Sequence, residues 1–354
     1  MHWMDEARSR YGRLLDRAGL APREASYRVV AELSAARLRA YQAVESSRSH
    51  ATALLIIPAP FKRAYIWDLM PEVSVVRRWL ERGVNVYLLE WTTPMPEDDA
   101  FGLAEYADEW PFSALRVIEN ETGCAAPLVA GHSLGGTLAA IFASLHPKSV
   151  GGLILVDAPL AFGGELGGPL GRALRAIAHA SAIRALASPV PGSVINALCA
   201  AAAPEVFIGE RLSDFTASLL DARAMAIHGR VERWTYDELP MPGALFEDVL
   251  EQLYRRDLFF KGTLQVGARQ TGAALLRAPV LAVLNPVGRI VPPGSMLTAL
   301  DTAPNLAVEL LEYTGDRGAM FQHLGPLVTP LAHETLWPRI LDWALSREAA
   351  LAGD

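Results

Sequence analysis

Ala125-Ala-Pro-Leu-Val-Ala-Gly-His-Ser-Leu-Gly-Gly136 is the stretch on which the reading of this chain turns. Ala125–Ala130 is short, apolar and suited to a buried strand, and Gly135–Leu145 places Leu138, Ile141, Phe142 and Leu145 at helical spacing. Between them stands a Gly-x-Ser-x-Gly turn. Glycines at 131 and 135 let two backbones approach around a tight strand-to-helix turn, which lifts Ser133 Oγ off the sheet edge. The Leu134 N–H then opens the helix and can face a developing oxyanion.

Outward from this turn, strands and helices alternate. Ala53–Ile57 reads as a buried strand ending at Pro58-Ala-Pro-Phe61, where a second oxyanion donor would lie. Prolines lack an N–H, so Ala59 or Phe61 must supply it. A helix over Ser74–Arg82 stopped by Gly83, a strand over Val84–Trp91 and a helix over Leu103–Glu121 interrupted near Pro111 follow. The next strand is Val150–Asp157. From Phe162 to about Leu276 the pattern changes to successive helices with dense Gly and Pro, and alternation resumes with strands at Ala278–Leu284 and Ala307–Tyr313. The last helix is expected over about Thr335–Arg347. Arg8–Leu20 and Arg28–Tyr41, rich in Ala, Leu and Arg, read as two helices, with Trp3, Tyr11, Leu14 and Leu15 packing one face. This alternation predicts a mostly parallel sheet with right-handed crossovers and, with the serine turn, an α/β-hydrolase fold. The expected division is an N-terminal helical arm (1–50), a first core part with the serine turn (51–160), a helical cap (161–276) and a second core part (277–354).

Composition narrows the function. The chain has 354 residues, 51% of them hydrophobic and 20% charged, enough for a large core. A net charge of −7 without a Lys/Arg block argues against nucleic acid as a main partner. Cys124 and Cys199 suit neither a disulfide framework nor a metal site. No His/Cys/Asp/Glu cluster has metal-ligand spacing, and no phosphate-cradling glycine loop appears. The N-terminus has no apolar segment of the secretory kind. The longest apolar runs, such as Leu54–Pro60 and Ala197–Pro204, fall far short of the roughly 20 residues that span a bilayer. The expectation is a cytoplasmic protein that is not integral to a membrane.

Several stretches in order resemble the polyhydroxyalkanoate synthase family. Leu54–Pro71 is similar to that family's oxyanion strand and the segment after it, and Val75–Trp79 and Val84–Pro94 continue the match. Arg233-Trp-Thr-Tyr-Asp237, Leu253–Arg256 and Gly262–Gly267 resemble its cap and late core. Ile290-Val-Pro-Pro293, Gln322-His-Leu-Gly325 and Leu336–Trp343 resemble its C-terminal blocks. The resemblance covers about residues 50–345, except Phe162 to about Leu212. Two departures stand out. The family usually carries a nucleophilic cysteine where this chain has Ser133, and an Asp-His pair before the Ile-Val-Pro-Pro block where this chain has Val287-Gly288-Arg289. A serine still forms an acyl-enzyme, but it tilts the chemistry toward hydrolysis.

The candidate nucleophile is therefore Ser133, and His323 is the candidate general base on the loop after the last strand. The oxyanion candidates are Leu134 and Ala59. The acid that would orient the histidine has three readings. Asp316 leaves the same strand end as His323, Asp157 ends the strand after the serine helix, or no acid is present and the pair is weakened. His132 is expected on the oxyanion side or in the core, His333 at the surface, His146 at a helix end, and Asp237 as a helix cap or at the mouth of the site. Arg255-Arg256-Asp257 reads as a solvated helix end. The resemblance implies serine-dependent acyl transfer or ester hydrolysis on hydroxyacyl substrates, with no cofactor and no metal. The partners it implies are an acyl ester or acyl-coenzyme A substrate and a polyester granule surface; a homodimer is a further possible partner, on which the sequence itself is silent. The alternative is a catalytically weak or inactive relative that binds acyl chains or polymer, or partners an active synthase.

Overall fold

In the computed structural model, residues 2–42, 52–205, 209, 211–315 and 323–351 are described. The core is one eight-stranded sheet: β1 (Arg28–Leu33), β2 (Ala36–Tyr41), β3 (Ala53–Ile57), β4 (Asn85–Trp91), β5 (Leu128–His132), β6 (Gly152–Val156), β7 (Val280–Leu284) and β8 (Val308–Glu312). They lie in the order β1-β2-β4-β3-β5-β6-β7-β8. The β1–β2 and β2–β4 pairs are antiparallel, and β4 to β8 run parallel.

The central strands are apolar without interruption because both sheet faces are covered. In β3, Leu55 and Ile57 join the core formed with α3 (Trp110–Thr122) and α4 (Leu134–Leu145). Leu54 and Ile56 point to the opposite core, with α2 (Val75–Glu81) and the C-terminal helix Trp337–Leu351. Ser74 caps α2 by accepting from the Arg77 N–H at 3.0 Å, and Gly83 leaves the helix at φ 79°. The helix ending at Thr122 is preceded by a π-turn over Glu105–Glu109, which absorbs Pro111 in the first turn of α3.

The N-terminal reading needs correction. Arg28–Tyr41 is a β-hairpin and not a helix. Ala36, Leu38 and Ala40 face one core while Arg37 and Arg39 ion-pair with Glu90 on β4, a period of two that packing against β4 enforces. Helix α1 (His2–Leu15) is present, but Trp3, Tyr11 and Leu14 are exposed at 69%, 47% and 56%. Polar contacts hold it, together with an edge-to-face contact of Tyr11 with Tyr236 at 4.9 Å. Asp5 accepts from the N–H groups of Gly192 and Ser193, Arg8 pairs with Glu238, and Asp16 pairs with Arg233.

Between β6 and β7 the chain runs through short helices, including Gly168–Ala176, Gly192–Ala202, Arg211–Ser218 and Ala222–Thr235, before a small hairpin pairing Leu264–Val266 with Arg269–Thr271. That hairpin interrupts a stretch read from sequence as helical. Asp257 is buried, against the expectation of a solvated helix end. Its carboxylate accepts from the N–H groups of Phe162 and Gly163 at 2.9 Å, clasping the start of this segment. Among the described residues, no helix is long and apolar enough to cross a membrane.

Candidate active site

The turn between β5 and α4 carries Ser133 at φ 55° and ψ −133°, a left-handed conformation that costs a non-glycine residue about 1–3 kcal/mol. Its surroundings hold it there. The Ser133 N–H donates to Val156 O (3.0 Å), and the Ser133 carbonyl accepts from Gly136 and Thr137. A β-carbon at Gly131 would lie 2.5 Å from Gly135 O, and one at Gly135 would lie 2.6 Å from Pro58 C. Neither position has room for a side chain, so the end of β3 passes directly against the start of α4.

This contact bears on the candidate oxyanion donors. The Trp91 indole N–H donates to Pro58 O at 2.9 Å. In a trans peptide the next N–H points the opposite way, so Trp91 orients the Ala59 amide. Ala59 and Leu134 both line the cavity that contains Ser133. Leu134 opens α4, where first-turn amides lack intrahelical acceptors and the helix dipole favours negative charge. Sequence reasoning did not single out Trp91 for this task, because nothing in the order of residues brings β4 next to Pro58.

The cavity holds about 320 Å³. Leu170, Ile195, Met241, Phe246 and Leu250 from the segment between β6 and β7 form much of its apolar wall. Lys62, Arg63 and Arg211 add cations, each with an anionic partner: Glu238, Asp237 and Glu232. Burial pushes the Lys62 ammonium pKa down, against the raising effect of Glu238. Asp237 is neither a cap nor a lone mouth residue. It joins Arg63 and Tyr65 to Arg233.

His323 lines the same cavity as Ser133. Its carbonyl is held by His132, whose Nε2–H donates to it at 2.7 Å, and the two rings lie 4.5 Å apart. Burial keeps His132 neutral, with its pKa lowered to about 4. Burial first, then the neighbouring His132, holds His323 well below the usual imidazole value. His323 at rest is therefore a neutral imidazole able to accept a proton. The Asp157 carboxylate stands 3.9 Å from His323 Nδ1. Asp316 lies outside the described residues. His333, expected at the surface, is buried and bonded to Leu327 O at 2.9 Å, because the turn before the last helix folds into the core. His146 ends α4 and pairs with Asp108. Among the described residues, no cluster of His, Cys, Asp and Glu can hold a metal ion.

Sheet order, strand-to-helix serine turn and histidine loop define the α/β-hydrolase class. Two solved structures share the fold: an esterase from Thermogutta terrifontis (16% identity, TM-score 0.51, 92% of this chain and 99% of that one) and a soluble variant of the monoglyceride lipase of Saccharomyces cerevisiae (14%, 0.55, 92% and 96%). Within that class, the chain is similar to poly(3-hydroxyalkanoate) polymerase subunits. It is 27% identical over 296 residues to the poly(3-hydroxyalkanoate) polymerase subunit PhaC of Haloferax mediterranei, covering 83% of this chain and 58% of that protein. The subunit of Haloarcula marismortui gives 25% over 295 residues, 83% and 61%, and that of Thiocystis violacea 23% over 329 residues, 93% and 89%. The chain thus spans about three-fifths of the length of the first two relatives. No protein-family model matches it.

Proposed function

We propose that this protein carries out serine-dependent acyl transfer or ester hydrolysis on hydroxyacyl esters or thioesters. The observation that carries this reading is the strained Ser133, which shares one apolar cavity with His323, Leu134 and Ala59. Ser133 Oγ attacks the carbonyl carbon while His323 takes its proton. The C–O bond to Ser133 forms, the bond to the departing alcohol or thiol breaks, and His323 returns the proton to that leaving group. The Leu134 and Ala59 amides receive the oxyanion. Water or a second hydroxyl then takes the acyl group.

Similarity to the PhaC subunits supports a hydroxyacyl substrate presented as an acyl-coenzyme A thioester or an ester, and a cytoplasmic setting. The serine ester, less activated than a thioester, favours hydrolysis over chain growth. A fluorophosphonate probe tests the nucleophile: wild type is expected to be labelled and Ser133→Ala not, and equal labelling of the two sinks the reading. With 3-hydroxybutyryl-coenzyme A, free thiol accompanied only by free acid identifies a hydrolase, and thiol accompanied by polymer a synthase. One observation favours a second reading, a binding protein without turnover. The loop after β7, Asn285–Arg289, carries no carboxylate to orient His323.

A further inference from the structure

We propose that Asp157 is the positioning carboxylate for His323, which places the third member of the catalytic group at the end of β6. The inference rests on the Ser133–His323 reading above.

Four observations carry it. First, the Asp157 carboxylate is buried and faces the imidazole, with Oδ2 3.9 Å from Nδ1. Second, the carboxylate is anchored on one side only. Oδ1 accepts from the Asn285 N–H at 2.9 Å, while Oδ2 is buried without a hydrogen-bond partner among the described residues. A buried carboxylate oxygen with no donor is costly, and His323 Nδ1–H is the donor within reach of a small movement. Closing 3.9 Å to about 2.8 Å needs a shift of roughly 1 Å, and such bonds often tighten only when substrate binds.

Third, Asp157 has φ 43° immediately after a strand, a strained backbone for a residue with a side chain. Its own N–H donates to Val283 O at 2.9 Å, so β7 grips it at both backbone and carboxylate. Fourth, the β7 loop leaves this place to a residue from elsewhere. A β-carbon at Gly288 would lie 2.7 Å from Val291 O and 3.0 Å from Asn285 O, so a side chain there requires the loop to move. The loop instead contributes the Asn285 amide, which holds Asp157.

Among the described residues, the titratable group facing Asp157 is His323 from the loop after β8, whose ring lies 4.5 Å from that of His132 on β5. Burial raises the Asp157 carboxyl to about 7, opposed by the Asn285 N–H. The carboxylate therefore ionises near neutral pH, and its charge then fixes the Nδ1–H tautomer and stabilises the imidazolium formed as Ser133 attacks.

The test is the rate of fluorophosphonate labelling between pH 5 and 9 for wild type, Ser133→Ala, Asp157→Asn and Asp157→Glu. Wild type is expected to show an acid limb near pH 7. Asp157→Asn is expected to be labelled about 10³–10⁴-fold more slowly and to lose that limb. Asp157→Glu should recover part of the rate, which a purely structural role would not produce. Wild-type labelling by Asp157→Asn overturns the proposal, as does a loss seen with Asp316→Asn and not with Asp157→Asn. Should Asp157→Asn fail to fold, Asp157→Glu decides, since labelling of that variant at the full wild-type rate, with its carboxylate displaced by one methylene, overturns the proposal. Absence of wild-type labelling above Ser133→Ala instead defeats the nucleophile reading itself.

Discussion

Asp157→Asn should make the protein more resistant to unfolding at alkaline pH even as it slows the chemistry. The carboxyl moves from its ordinary 3.8 in the unfolded chain to about 7 when folded, because it is buried and, among the described residues, accepts one hydrogen bond. The sign follows from proton counting. Between these two values the native state binds more protons than the unfolded state, so stability falls as pH rises from about 4 to about 7 and is level beyond. The full cost of the buried charge is about 4 kcal/mol. Asparagine keeps an oxygen for the Asn285 N–H and carries no charge, but its amide needs an acceptor, at a cost of roughly 1–3 kcal/mol. The variant is thus expected to be slightly less stable than wild type at pH 4. It should gain about 2–4 kcal/mol relative to wild type by pH 8, a relative Tm rise of several degrees. Thermal unfolding of both proteins at pH 4, 6 and 8 measures this. A Tm difference that stays constant across the range would refute the argument, because it would mean that the carboxyl titrates at the same pH in both states.

Three further expectations concern the frame of the site. Ser133→Gly relieves the φ 55° backbone and should raise the urea midpoint by the equivalent of about 1–2 kcal/mol while abolishing labelling; an unchanged or lower midpoint would mean that the turn is not strained. Trp91→Phe removes the donor to Pro58 O and frees the Ala59 peptide, so ester turnover should drop in kcat by about tenfold to a hundredfold with KM little changed, and a change confined to KM would contradict the oxyanion role. Arg8→Ala leaves the buried Glu238 to Lys62 alone and should cost about 1–3 kcal/mol by urea unfolding, whereas a neutral result would show that α1 adds nothing to the segment it crosses.

The serine turn was legible because its constraints are local: two glycines, a strand before and a helix after, all within twenty residues. The parallel core was legible for a similar reason, since strands covered on both faces are apolar without interruption. The hairpin over Arg28–Tyr41 was misread because Ala, Leu and Arg are good helix formers, and composition was weighted over order. The order held the better signal. Ala36, Leu38 and Ala40 alternate with Arg37, Arg39 and Tyr41, and Glu90 on β4 waits for the two arginines. Trp3 and Leu14 mislead in another way, because α1 is fastened by Asp5 and Arg8 and leaves those apolar side chains in water. The choice among carboxylates was not legible at all. Asp157 and His323 are 166 positions apart, and the pairing of β6 with β7 and of β7 with β8 brings them together.

The fastening of α1 also sets an order of events in synthesis. Arg8 leaves the ribosome 230 residues before its partner Glu238. At ordinary translation rates of about 5–20 residues per second, that is a wait of roughly 10–50 s. Until then Arg8 lacks its carboxylate partner, whereas Trp3 and Leu14 are exposed before and after docking. Fastening of α1 therefore waits for the segment between β6 and β7, and a substitution at Arg8 acts on a contact that closes well after strands β3 to β6 have emerged.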